Sequence, residues 1–280
     1  MTRSNRKPAA SSWVVGRLAL FLAFAWAPHS AVGARSQRPG TLFIGNSMTF
    51  FNHGPDVYSA LDPRRHLVDD IVGPGFTLTR HLEDARWPWT RMAALPYVAR
   101  TRYQTLVLQE QSGRMFWYAR DLEEHEAALS SALTLARHAQ RWGARVVLYA
   151  QPYRDGATDS LTYTVRQSEL NQGYSALATS LRRYDIDVRI APVGRAFALI
   201  AMQSVEPCTE GQEFDRLFRR DNHHPSLRGT YLAMALIYAM ANDTDVRDVP
   251  DEPRLGHDVS ARLRYFAHLA LEEERRRVAQ

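Results

Sequence analysis

One cysteine, Cys208, occurs in the 280 residues. No disulfide can therefore close within the chain, and a zinc site built on cysteines is excluded. A lone thiol in a loop reads as incidental rather than as a nucleophile. Lysine is equally scarce: Lys7 stands alone among 35 basic residues, the rest being arginine. The net charge of +5 invites a polyanionic partner, but Arg3, Arg6, Lys7 and Arg17 supply four of those charges, with no acid among residues 1–34. What remains is close to neutral and lacks the clustered base that a phosphate backbone needs, which excludes nucleic acid as a partner. Long apolar runs are missing too. The run 18–27 (LALFLAFAWA) has ten residues, where a helix crossing a bilayer needs about 20.

That short run has the setting of a processing signal. A basic n-region precedes it and the small-residue site Val32-Gly33-Ala34 follows it. Residues 1–34 therefore read as a signal peptide, and residues 35–280 as one mature domain, exported to the periplasm or secreted, with no stable membrane span after cleavage. An uncleaved anchor stays open, because 13–16 (WVVG) extend the apolar stretch, although Arg17 interrupts it. Neither an internal repeat nor a low-complexity linker follows.

Hydrophobic residues make up 45 % of the chain, enough for a sizeable core. Short continuous apolar runs at 41–45, 105–109, 145–150 and 187–192, with a weaker one at 69–72, predict strands buried on both faces, as in a parallel sheet. Helical spacing falls between them. Asp121 with Glu124 predicts an N-terminal cap, after which Leu122, Leu129, Leu133 and Ala136 share a face until Gly143. Leu170, Tyr174, Leu177 and Leu181 mark a second amphipathic helix. The segment 231–240 is apolar nearly all round and predicts a buried helix. A final helix from about Ser260 ends in Glu272-Glu273-Glu274-Arg275-Arg276-Arg277, a solvated run of i,i+3 and i,i+4 pairs. Strands alternating with helices predict an α/β sandwich whose ligands bind at the carboxyl ends of the strands.

Four polar segments could carry chemistry. Gly45-Asn46-Ser47-Met48-Thr49 follows the first strand, so Ser47 would lie at the sheet edge over free N–H groups, as a nucleophile or simply as a helix cap. Asp221-Asn222-His223-His224-Pro225-Ser226 precedes the buried helix. There His224 could take a serine proton and Asp221 could orient the imidazole. A polar loop capped by Ser226 is the plainer reading, and a metal held by Asp221, His223 and His224 is disfavoured because adjacent histidines point apart. Gly73-Pro74-Gly75-Phe76-Thr77-Leu78 is a turn or a source of a backbone donor. Gln109-Glu110-Gln111-Ser112-Gly113 is a solvated loop or a source of amide donors. Glu110 as a second acid has no geometric support in the sequence. Lesser candidates for pocket walls are His81, Trp87, Trp89 and Met115-Phe116-Trp117-Tyr118, each of which core or loop packing would equally explain.

In this order the four segments resemble the blocks of the SGNH (GDSL-type) hydrolase superfamily, over about residues 41–240. Gly45-Asn46-Ser47 is similar to the nucleophile block, in a branch with GNS. Asp221-x-x-His224-Pro225-Ser226 is similar to the last block, and Gly229-Thr230-Tyr231-Leu232 also resembles that branch. Gly75, with Gly73 as the reserve, matches the second. The third departs, with Gln111 in place of asparagine and Gln109 in place of glycine. The resemblance implies a flavodoxin-like three-layer α/β/α sandwich on a five-stranded parallel sheet. It also implies a serine esterase with Ser47, His224 and Asp221 as catalytic triad and Ser47, Gly75 and Gln111 as oxyanion hole, without metal or cofactor. Position 49 is Thr, so the G-x-S-x-G elbow of ordinary α/β-hydrolases is absent. A small-molecule or glycan ester is the expected partner, and export favours a short acyl or acetyl group on a carbohydrate. The altered third block leaves open a non-catalytic glycan-binding module, and the same triad would serve an acetyltransferase. The oligomeric state is not legible.

Overall fold

The computed structural model describes residues 40–64, 66–83, 103–118, 120–141, 143–154, 157, 159–203 and 213–279. They belong to the compact unit Gln37–Gln280. The expected signal peptide, Trp87, Trp89 and Cys208 lie outside the described residues.

All five expected strands form: β1 (Gly40–Gly45), β2 (Leu67–Val72), β3 (Tyr103–Leu108), β4 (Arg145–Tyr149) and β5 (Val188–Ala191). They make one parallel sheet in the order β2-β1-β3-β4-β5. Nine α-helices accompany them among the described residues. They are α1 (Ser47–Phe50), α2 (Gly54–Ala60), α3 (Leu78–Glu83), α4 (Ser112–Trp117), α5 (Leu122–Arg141), α6 (Ser160–Arg182), α7 (Val193–Gln203), α8 (Leu227–Asn242) and α9 (His257–Val278).

The continuous apolar character of the strands has a direct cause. Successive side chains point to opposite faces, and both faces are covered. Phe43, Val107, Val147 and Tyr149 belong to a core built with α2, α7, α8 and α9. Leu42, Ile44, Leu106, Leu108, Val146 and Leu148 belong to the other core, with α5 and α6. The result is a three-layer α/β/α sandwich. Its strand order reverses direction between β1 and β3, and the crevice outside the carboxyl ends of those two strands is where such sheets bind ligands.

The helices refine the expectations. Leu170, Tyr174, Leu177 and Leu181 are all buried on α6, and 231–239 are buried on α8. Asp121 caps α5 through Oδ1, which accepts from the N–H groups of Glu123 and Glu124 at 2.9 and 3.2 Å. Gly143 follows α5 with φ +70°. The expected face of α5 needs correction. Leu122 is exposed, Leu129 and Leu133 are half-buried, and the buried stripe is Ala128, Ala132, Leu135, Ala136 and Ala139. Leu129 and Leu133 still pack against that core at the margin of the stripe and Ala136 lies within it, so of the expected residues Leu122 is the one that lies off it. At the end of α9, Glu272–Arg275 and Glu274–Arg277 pair along the helix, while Glu273 reaches across to Arg195 on α7.

Candidate active site

The first strand ends in a tight exit. Asn46, not Ser47, caps α1: its Oδ1 accepts from the Met48 N–H at 3.1 Å. The helix is a single turn, closed by Asn52 and His53 in the left-handed region before α2 begins. Ser47 is therefore the first helical residue, half-buried, with its hydroxyl free of capping duty.

Across the sheet edge, the segment before α8 supplies the imidazole. His224 Nε2 lies 3.0 Å from Ser47 Oγ, a contact between residues 177 positions apart. His224 Nδ1 lies 2.9 Å from Asp221 Oδ2. A carboxylate can only accept, so Nδ1 carries the ring proton and Nε2 is left as the acceptor for the serine hydroxyl. Partial burial pushes the Asp221 carboxyl up, but hydrogen bonds from the His223 N–H and from the His224 ring and N–H outweigh it and hold it at about 2. Asp221 is thus an anion throughout the neutral range. Phe51 stacks on the His224 ring with centroids 3.9 Å apart, fixing its plane, and the Arg219 N–H donates to the His224 carbonyl at 2.9 Å.

Three side chains hold these segments together: Asn52, which sequence reasoning did not single out, and Gln109 and Asn46, which it named only as members of their blocks. Asn52 Nδ2 donates to the Pro225 carbonyl at 2.6 Å and to Thr230 Oγ1 at 3.0 Å, tying the nucleophile turn to the histidine segment. Gln109 Oε1 accepts from the Asn46 N–H at 2.7 Å and from Thr49 Oγ1 at 3.0 Å, while its Nε2 donates to the Gln151 side chain at 2.7 Å. Asn46 Nδ2 donates to the Phe76 carbonyl at 3.1 Å. The signal in the sequence for Gln109 was the polar run directly after β3, which reads as a solvated loop or a source of amide donors. Gln109 and Glu110 are both 1 % exposed, so the solvated-loop reading does not hold for them.

Gly45 shows how tight this latch is. A Cβ there would lie 2.5 Å from Thr49 Oγ1 and 2.7 Å from Gln109 Oε1. Gly45→Ala is expected to dislodge Gln109, to cost about 1–3 kcal/mol of stability from overpacking, and to reduce any Ser47-dependent activity at least about tenfold. Chemical denaturation and steady-state kinetics on the variant check both.

The other expected site residues occupy different situations. Gly75 has φ +67° at the third position of a turn closed by the Phe76 N–H on the Gly73 carbonyl at 3.1 Å. With Pro74 second and a positive φ third, this is a type II geometry that by itself favours glycine. Among the described residues neither the Ser47 nor the Gly75 N–H donates a hydrogen bond. Gln111 caps α4, its Oε1 accepting from the Arg114 N–H at 2.9 Å. His81 is buried with Nε2 2.8 Å from the Gly45 carbonyl, so it braces the nucleophile strand rather than lining a pocket. Met115 and Tyr118 are core residues, whereas Phe116 and Trp117 face an open groove with Tyr153, Leu161 and Val165. Among the described residues no group of three His, Cys, Asp or Glu side chains could hold a metal, and no helix is long and apolar enough to cross a membrane.

No family model matches the chain, and no curated protein matches it. Solved structures do. A protein from Slackia heliotrinireducens assigned to the SGNH hydrolases is 25 % identical, with a TM-score of 0.52 over 72 % of this chain and 97 % of that one. A DUF4886 family protein from Bacteroides uniformis is 17 % identical, with a TM-score of 0.58 over 84 % and 95 %. A GDSL-like lipase from Parabacteroides merdae is 14 % identical, with a TM-score of 0.50 over 74 % and 96 %. The last two likenesses concern the fold alone. The fold is the α/β fold of the SGNH (GDSL-type) hydrolases, and the likeness to the Slackia protein is a likeness to a hydrolase of that kind.

Proposed function

We propose that the chain is a serine esterase in which Ser47 is the nucleophile, His224 the general base and Asp221 the residue that orients it. The observation that carries this reading is the continuous hydrogen-bonded line from Asp221 through His224 to Ser47. In the first step Ser47 Oγ attacks the ester carbonyl while its proton passes to His224 Nε2. The C–O bond then breaks and His224 returns that proton to the leaving alcohol. Water repeats the sequence on the acyl-enzyme, releasing the acid and restoring Ser47. The N–H groups of Ser47 and Gly75 are the proposed oxyanion donors, because neither donates a hydrogen bond among the described residues. Gln111 contributes as the cap of α4, and its Nε2 is the remaining proposed donor.

The proposed substrate is an ester of a short acyl group with a carbohydrate alcohol. The groove lined by Phe116, Trp117 and Tyr153 together with Arg166 and Glu169 supports this reading, since ring faces beside charged groups suit sugar stacking combined with hydrogen bonding. A panel of nitrophenyl esters from acetate to palmitate tests it. The expected result is a kcat/KM highest at acetate and falling with chain length. A maximum at palmitate would overturn the short-acyl reading, and no hydrolysis of any member would count against the esterase itself.

A further inference from the structure

Glu110 is a buried acid that the proposed chemistry does not use. It sits at the carboxyl end of β3, one residue from Gln109. Its two carboxylate oxygens each lie 3.2 Å from the Leu78 N–H, at the start of α3, and Oε1 also accepts from the Gln111 N–H at 2.6 Å. Its own carbonyl receives Gln109 Nε2 at 2.7 Å, Gln151 Nε2 at 2.9 Å and the Tyr174 hydroxyl at 3.3 Å. One residue thus joins the loop after β2, which carries Gly75, to the loop after β3, which carries Gln111, directly behind the Gln109 latch on Asn46.

We propose that Glu110 is a positioning residue: as a carboxylate it fixes the post-β2 loop to the post-β3 loop and so holds the donors around Ser47 in register, and as a neutral acid it leaves them slack. A carboxylate accepts from both N–H groups at once, and charge shortens and strengthens such bonds. A protonated carboxyl turns one oxygen into a donor and weakens the acceptor on the other.

The surroundings make this change of state accessible. Burial pushes the carboxyl up to about 7, against the Gln111 N–H, Arg114 and the Leu78 N–H, which pull it down. Arg114 on α4 is drawn away, its Nε 2.6 Å from Glu124 of α5 and its Nη1 2.6 Å from Thr79 Oγ1 of α3. Glu124 itself raises the Glu110 carboxyl, Tyr174 of α6 adds only a hydroxyl, and His81 of α3 is turned to the Gly45 carbonyl. The folded carboxyl titrates above its ordinary value of 4.5. The buried anion therefore lowers stability as pH rises from that value through about 7, and Glu110→Gln escapes that cost.

The kinetic arm of the test rests on the serine-esterase reading, and the exchange arm does not. Amide hydrogen exchange, corrected for the intrinsic chemical rate, is measured at Leu78 and Gln111 in wild type at about pH 5.5 and about pH 8.5, and in Glu110→Gln at the higher pH. Protection is expected to fall in wild type on acidification and to be low in Glu110→Gln. In parallel, Glu110→Gln should lose about tenfold or more in kcat, less than the ~10²–10³ of deleting an oxyanion donor, with KM little changed and Tm at the higher pH equal or raised. The acid limb of log kcat/KM should be steeper in wild type than in the variant, because protonation of Glu110 adds to it only in wild type. A variant with wild-type protection and a wild-type slope would overturn the inference, as would a wild type whose protection does not change with pH. Should wild type hydrolyse no ester while protection at Leu78 and Gln111 still follows pH, the esterase reading fails and the positioning role stands.

Discussion

Ser47→Ala is expected to lower kcat for ester hydrolysis by about 10⁴-fold or more, because removal of the nucleophile takes away what the other triad members act upon. The fold should be untouched. The cap of α1 is Asn46, and the Ser47 hydroxyl is hydrogen-bonded to His224 alone among the described residues. The variant should therefore keep the wild-type Tm within a degree or two and still bind substrate, since removing a group that acts in the transition state leaves ground-state binding largely intact. Steady-state kinetics on a nitrophenyl acetate, with circular dichroism as the folding control, read both quantities. Retention of wild-type activity would exclude Ser47 as nucleophile.

The second large effect is at Asp221. Asp221→Asn keeps an oxygen to accept from the N–H groups of His223 and His224, as Oδ1 does now at 3.0 Å each. It replaces the acceptor facing His224 Nδ1 with an amide N–H. The imidazole is then driven to carry its proton on Nε2, the wrong tautomer for taking one from Ser47. A loss of about 10³–10⁴ in kcat/KM follows, with little change in KM. The pH dependence has a definite sign. The carboxyl is held at about 2 against an ordinary 3.8, so whatever it contributes to stability is present above that ordinary value and is lost only as pH falls toward 2. Any acid limb in the activity profile near neutrality thus does not come from Asp221. If the rate of Asp221→Asn approached wild type at any pH between about 6 and 9, the orienting role would be wrong.

Much of this arrangement was legible in the residues. Both faces of the sheet are covered, so each strand reads as an unbroken apolar run, and that places Ser47, Gly75 and the 109–113 segment at one edge. The spacing of Asp221 and His224 already fits one turn of chain. Less legible were the contacts that depend on register through space. Nothing local to Gln109 says that its side chain accepts from residue 46, because that pairing exists only once β1 and β3 lie side by side. Asn52 is similar: its left-handed backbone and its reach to Pro225 become visible only when α8 is in place. On α5 the leucine pattern found the margin of the buried stripe rather than its centre, where Ala128, Ala132, Leu135 and Ala139 lie and a periodicity argument looks for larger side chains. Gln111 was read as a possible donor from its place in a block; its second role, with Oε1 accepting at the start of α4, was not legible there.

The most direct test of the central claim, that His224 activates Ser47 for attack, is covalent labelling with a fluorophosphonate followed by peptide mass spectrometry on wild type, Ser47→Ala and His224→Ala. A single adduct on Ser47 in wild type, none in Ser47→Ala and labelling slowed at least about a hundredfold in His224→Ala is the predicted result. An unlabelled Ser47, an adduct on another residue, or labelling that proceeds equally fast without the imidazole would contradict it.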